Sequence, residues 1–296
     1  MKKKIIYELN ALYREPMQVM GYVFGEGEKS VCVVGSMRGN EVQQMFSCSC
    51  LIRRLKKLEE RQELAAGKSI LVIPCINSYS MNIGKRFWST DNTDINRMFP
   101  GYQEGETTQR VAAGVFDAVK DYGIGIQFAS NYMSGWFLPH IRMMRTGFED
   151  IEAAKNFAFP YVMVRDTRPF DTTTLNYNWQ IWETKAYSVY TTDTEEIDRQ
   201  SAADAVKGIE KMLNAEGVLN SRVSGGYHYH SQVLGDDSLL SVRCREAGIY
   251  ENKVYVGEEV HEGQLLAEIT DPYEGTVLFQ HKAPLIYADT TALKLV

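Results

Sequence analysis

Glu41 closes the turn Gly35-Ser-Met-Arg-Gly-Asn-Glu41, with Arg38 three residues before it. The turn follows the apolar run SVCVVG and opens a long amphipathic segment. An acid and a guanidinium this close can pair, and the guanidinium stays charged throughout the accessible pH range. A second polar string, DINRMFPG, offers Asn96 and Arg97, the arginine carrying a planar fork suited to a carboxylate. His140 and Arg142 stand in LPHIRM, while Arg165 and Arg168 follow the apolar run YVMV, at a strand end where α/β sites gather. Each of these arginines is of a type that can hold a small anion. His140 is the only histidine before residue 228, and a lone histidine is more often a hydrogen-bonded structural residue than a ligand or catalyst. His228 and His230 alternate like strand residues, so they would share a face able to bind a metal incidentally. Residues 171–182, DTTTLNYNWQIW, read as a polar-aromatic loop. It would set Tyr177, Trp179 and Trp182 either against a ligand or into an interface with another domain or subunit.

The elements that must position these groups are legible from pattern. SVCVV, SILVIP, GIGIQF, YVMV and AYSVYT read as strands buried on both faces, being too continuous for one-sided antiparallel strands. Residues 41–60, 106–120 and 196–213 carry apolar positions at helical spacing. The expected fold is α/β, a mixed sheet with helices on both faces. Beyond Gly217 the texture changes to short pieces between glycine and acidic turns: LLSVRC, GIYENKVYVG, LLAEIT, GTVLFQ and LIYADT. The expected domains are therefore residues 1–219, α/β, and 220–296, a small all-β unit with a barrel-sandwich-like hairpin rhythm. That unit has no lysine attachment turn for a biotinyl or lipoyl group.

Composition narrows the function classes. The 296 residues suffice for a large core, and a net charge of −6, spread along the chain, gives no footprint for nucleic acid. No apolar run is long enough for a signal or membrane segment after the basic start MKKKIIYEL, so a cytoplasmic location is expected. Five cysteines, Cys32, Cys48, Cys50, Cys75 and Cys244, are odd in number and lack C-x-x-C spacing, which fits reduced buried thiols.

The order GSMRGNE, VIPCINSYSMNIGKRF, TDNTDINRMFPG, GIQFASNYMSGWFLPHIRM, AYSVYT resembles the succinylglutamate desuccinylase/aspartoacylase family, of zinc-carboxypeptidase-like fold, over about residues 20–215. The C-terminal β-domain also looks like one that many members carry. The resemblance implies zinc-assisted hydrolysis of a small N-acyl amino acid or related carboxylate, with three protein ligands, a metal-bound water and a glutamate as acid and base. On the matching positions, Glu41 is the one retained ligand, while Arg38 and Ala129 replace the two histidines. Gln127 replaces the aspartate near the second histidine, and Tyr190 takes the general acid/base position, with Glu183, Glu195 and Glu196 nearby as acids of an alternative register. Asn96 and Arg97 match the family's pocket pair, and His140 with Arg142 match its P-H-V-R string.

A lone carboxylate does not hold zinc against water, and a permanent cation at position 38 opposes a metal there. The favoured expectation is a family protein that has lost the zinc mechanism, takes no cofactor, and binds a small anionic ligand with Arg38 paired to Glu41. Two alternatives stay open. One is an active deacylase with a remodelled metal site, such as Glu41 with His140; the other is a structural or assembly protein with a vestigial pocket. A small carboxylate-bearing molecule is the expected partner, with no nucleic acid and no membrane, and a homo-oligomer stays open.

Overall fold

The computed structural model describes residues 1–10, 12, 15–131, 135–240, 243 and 246–283. The first strands are β1 (Lys2–Leu9), β2 (Met17–Gly25), β3 (Glu28–Ser36), β4 (Lys68–Cys75) and β5 (Ile124–Ala129). They continue with β6 (His140–Arg145), β7 (Tyr161–Asp166), β8 (Lys185–Tyr190) and β9 (Gln232–Leu234), and all nine form one sheet in the order β1-β2-β4-β3-β5-β8-β6-β7-β9. Its helices are α1 (Val42–Glu60), α2 (Ser78–Asn82), α3 (Thr107–Val119), α4 (Ile151–Lys155), α5 (Leu175–Ile181) and α6 (Arg199–Ala215). The sheet is mixed: β3 runs parallel to β4 and β5, and β5 to β8, whereas β6 opposes β8.

Burial on both faces explains the continuous apolar runs. Along β3, Val31 and Val33 pack with Leu51, Leu55 and Leu58 of α1 and with Ile209 and Met212 of α6. Their neighbours Cys32 and Val34 point the other way and pack with Val111, Val115 and Phe116 of α3 and Trp179 of α5. Successive side chains of a strand face opposite sides, so a strand covered twice has no polar face to show. The five expected strands and three expected helices are all present. Cys32 and Cys48 are buried, Cys50 and Cys75 partly so, and all four are free thiols; Cys244 lies outside the described residues.

Three features differ from the pattern reading. The N-terminal hairpin β1–β2 and the strand β6 extend the sheet, and β6 escapes notice because its inward His140 and Arg142 interrupt the apolar run. Residues 171–182 are not a loop: Thr174 accepts a hydrogen bond at its side chain from the Tyr177 amide and starts α5. His228 and His230 precede β9 and lie outside any strand, with Lys211 Nζ 3.3 Å from the His228 ring nitrogen.

β9 joins the large sheet beside β7, so that sheet extends past residue 220. A separate antiparallel sheet comprises β10 (Ile249–Asn252), β11 (Leu265–Thr270) and β12 (Val277–Lys282), with Val254, Leu266 and Ala283 as its small core. Half of LLSVRC, and all of LIYADT, lies outside the described residues. No helix among those residues is long and apolar enough to cross a membrane.

Candidate functional site

The carboxyl ends of β3, β5 and β8 meet the turn from Gly35 to Glu41. Gly39 is required there by close approach, because a Cβ would lie 2.1 Å from the Lys85 carbonyl oxygen. Ser36 Oγ donates to the Arg38 carbonyl at 2.6 Å, folding the turn back on itself. Glu41 is 1% exposed, and its carboxylate accepts from the Met37 amide at 2.7 Å and the Arg38 amide at 3.0 Å. Ser130 Oγ and Arg38 Nη1, the latter at 2.9 Å, donate to its other oxygen.

Arg38 is 6% exposed and sits between two acids. Besides Glu41 it binds Asp94, with Nη2 2.8 Å from Oδ2 and Nε 3.1 Å from both carboxylate oxygens. Burial works against the guanidinium charge, but Glu41 and Asp94 outweigh it and hold its pKa above the ordinary arginine value. Arg38 is thus not a solvated loop residue: its charge is balanced by two acids of the protein.

Asp94 also caps the short turn that carries Asn96 and Arg97. Asn96 Oδ1 accepts from the Leu175 amide at 3.3 Å, and the Phe99 amide donates to the Thr173 carbonyl at 2.9 Å, so this turn fixes the start of α5. Arg97 Nη1 donates to the Phe170 carbonyl at 2.6 Å and approaches Asp171 at 3.5 Å, and the guanidinium carbon lies 5.1 Å from the Phe170 ring centroid.

These elements enclose a cavity of about 190 Å³. Arg38, Asn96, Arg97 and Arg142 line it, together with Ala129 and Tyr190. Glu41 supports it through Arg38 and Ser130. Tyr190 stacks on His140 with ring centroids 4.5 Å apart, and the Arg142 guanidinium lies 5.4 Å from the Tyr190 ring. His140 stands behind Tyr190, outside the lining. It is 4% exposed, with Nδ1 2.8 Å from the Leu138 carbonyl oxygen, and burial pushes its imidazole down to about 4.

Two expected residues fall elsewhere. Arg165 forms an ion pair with Asp236, and the Arg168 guanidinium lies 6.0 Å from the Phe170 ring. Neither lines the cavity. Residues 171–182 do wall it, but through the polar Asp171, Thr174 and Asn176, with Phe170 just before them, and not through Tyr177, Trp179 or Trp182. Trp179 is instead core, donating from Nε1 to the Val119 carbonyl at 3.1 Å, and Trp182 meets Phe116 edge-on at 5.2 Å. Ser130, Asn131, Met144, Phe170 and Ser188 also line the cavity and were missed by pattern reading, none of them carrying a local motif. Glu195 accepts from Asn40 at 2.7 Å and is not a lining residue.

Among the described residues no group of three or more His, Cys, Asp or Glu is placed to hold a metal ion. Of the positions matched to the family's zinc ligands, Glu41 alone offers a donor. Its oxygens accept from the four groups named above.

Comparison with known proteins agrees with the motif order. The family model for the succinylglutamate desuccinylase/aspartoacylase catalytic domain matches residues 27–212. An N-alpha-acetyl-L-2,4-diaminobutyric acid deacetylase from Halomonas elongata is 24% identical over 263 residues, covering 83% of this chain and 72% of that protein. A succinylglutamate desuccinylase/aspartoacylase from Rhodobacter sphaeroides has the same fold, with TM-score 0.75 at 18% identity, covering 95% of this chain and 88% of that one. The product-bound ectoine utilization protein EutE from Ruegeria pomeroyi gives TM-score 0.74 at 18% identity, covering 93% and 84%. With its catalytic-domain model matched over well more than half the residues, from β3 through most of α6, this chain belongs to the succinylglutamate desuccinylase/aspartoacylase family.

Proposed function

We propose that this chain has lost the family's zinc-dependent deacylase mechanism and uses the cavity to bind a small carboxylate-bearing molecule without cleaving it by that route. One observation carries the reading: the Arg38 guanidinium occupies the metal turn, seated on Glu41 and Asp94. The donor set there does not fit zinc. Glu41 is a single carboxylate already satisfied by four donors, Ala129 has no donor atom, and a cation at Arg38 repels another. His140 does not complete a site, since it is not among the residues that line the cavity and its ring is stacked on Tyr190.

The reading is tested by elemental analysis of protein purified without chelator, alongside thermal melts with acetylated and succinylated amino acids. Substoichiometric zinc together with a ligand-induced rise in melting temperature is expected. Stoichiometric zinc that leaves on chelation would overturn the loss of mechanism. The absence of any shift would overturn the binding role.

A further inference from the structure

Among the polar side chains that line the cavity, Gln127, Ser188, Arg142 and Asn176 have no hydrogen-bond or ion-pair partner among the described residues. Three of them form one row across the sheet. Gln127 of β5 is the register partner of Ser188 of β8, and Ser188 is the partner of Arg142 of β6. Register partners share a face, so the three line up as a polar floor. Asn176 comes from α5, is 2% exposed, and has both its amide nitrogen and its amide oxygen unpaired. Buried amides are nearly always satisfied, and four polar groups left open around one cavity amount to an interior prepared for something else to complete it.

The charge balance says what that is. Arg38 is spent on Glu41 and Asp94, and Arg97 faces Asp171 and the Phe170 carbonyl. Arg142 is the one guanidinium among the described lining residues without a carboxylate partner. The cavity therefore offers one open cation. Beside it stand the amides of Gln127 and Asn176, each both donor and acceptor, and the Ser188 hydroxyl. A second carboxylate would supply acceptors only, leaving the amide oxygens unmatched and its own charge without a counterion. A primary carboxamide donates and accepts in the pattern the two amides present.

We infer that the floor selects a monocarboxylate bearing a terminal carboxamide, with Arg142 holding the carboxylate and Gln127, Ser188 and Asn176 exchanging hydrogen bonds with the amide. This deepens the binding role proposed above and rests on it. Met144 and the Tyr190 ring flank the space as apolar walls for a short aliphatic spacer.

The test is calorimetric titration of the full chain with succinamate and glutaramate, against succinate, glutarate and butyrate. The monoamides are expected to bind at least about tenfold more tightly than their matched dicarboxylates and than butyrate. Arg142→Gln should remove binding of all five. Asn176→Leu should abolish the amide preference while the unliganded protein melts higher than wild type, because an unpaired buried amide has been replaced by an apolar group of similar size. A variant that melts lower and keeps the preference would make Asn176 merely structural and sink the assignment. If the dicarboxylates bind as tightly as the monoamides, the selectivity falls and the carboxylate-binding role stands. If neither these five nor the acylated amino acids bind, the binding role itself falls and the selectivity with it.

Discussion

Arg38 and Asp94, fifty-six residues apart in sequence, meet as a fork on a carboxylate, with Nη2 2.8 Å and Nε 3.1 Å from its oxygens. The contact ties the turn from Gly35 to Glu41 to the turn carrying Asn96 and Arg97, and Glu41 completes a buried trio with one excess negative charge. A cation enclosed this way performs electrostatically what a metal would, but it cannot activate water.

Arg38→Met leaves both carboxylates enclosed with no counterion. Urea unfolding at neutral pH should show a loss of about 3–5 kcal/mol, and Arg38→Lys should recover only part of it because an ammonium cannot span both acids as a fork. A loss below about 1 kcal/mol would mean that the trio behaves like a solvated surface pair.

Restoring imidazoles tests the assignment of the turn. The double variant Arg38→His with Ala129→His should gain zinc affinity, read by competition with a chromogenic chelator, while wild type competes weakly or not at all. No gain would show that one or both positions are misplaced relative to the family's ligands.

His140 should make stability depend on pH. Burial lowers its pKa from 6.5 to about 4, partly opposed by the hydrogen bond to the Leu138 carbonyl and assisted by Arg142 and Arg165. The unfolded chain therefore takes up the proton first as pH falls. The contribution is whole above about 6.5 and is lost progressively towards 4, about 3 kcal/mol in all. His140→Phe, which keeps a ring on Tyr190, should flatten this acid limb in denaturant melts between pH 7 and 4.5. Parallel curves for the two proteins would contradict a neutral buried imidazole.

Arg97 is a clamp at the rim, held by the Phe170 carbonyl and Asp171 and 31% exposed at its side chain. Arg97→Ala should weaken binding of an acylated amino acid by no more than about fivefold, the scale of a partly solvated pair. Complete loss in calorimetry would reinstate Arg97 as the direct grip on the ligand carboxylate.

Much of the fold was legible because its rules are local. Twofold burial makes β3, β4, β5, β7 and β8 continuous apolar runs, and helical spacing marks α1, α3 and α6, whatever lies elsewhere in the chain. Strand β6 and helix α5 were not legible for the same reason. His140, Arg142, Asn176 and Asn178 put polar side chains where a core pattern requires apolar ones, and only the cavity and its neighbours explain them.

The candidate site divides along the same line. The sequence alone determined the turn from Gly35 to Glu41, which the resemblance matches to the family's metal turn, the placement of Arg38 three residues before Glu41, and the Asn96–Arg97 string, since each is a short contiguous pattern. Tertiary structure alone decided that Asp94 is the second acid on Arg38, that Arg165 and Arg168 stand away from the cavity, and that Trp179 belongs to the core. It also decided that Gln127, Ser188 and Arg142 form one row. The physical reason is sheet register: neighbours across strands are fixed by backbone hydrogen bonding between segments far apart in the chain, and which charges are neutralised depends on those neighbours.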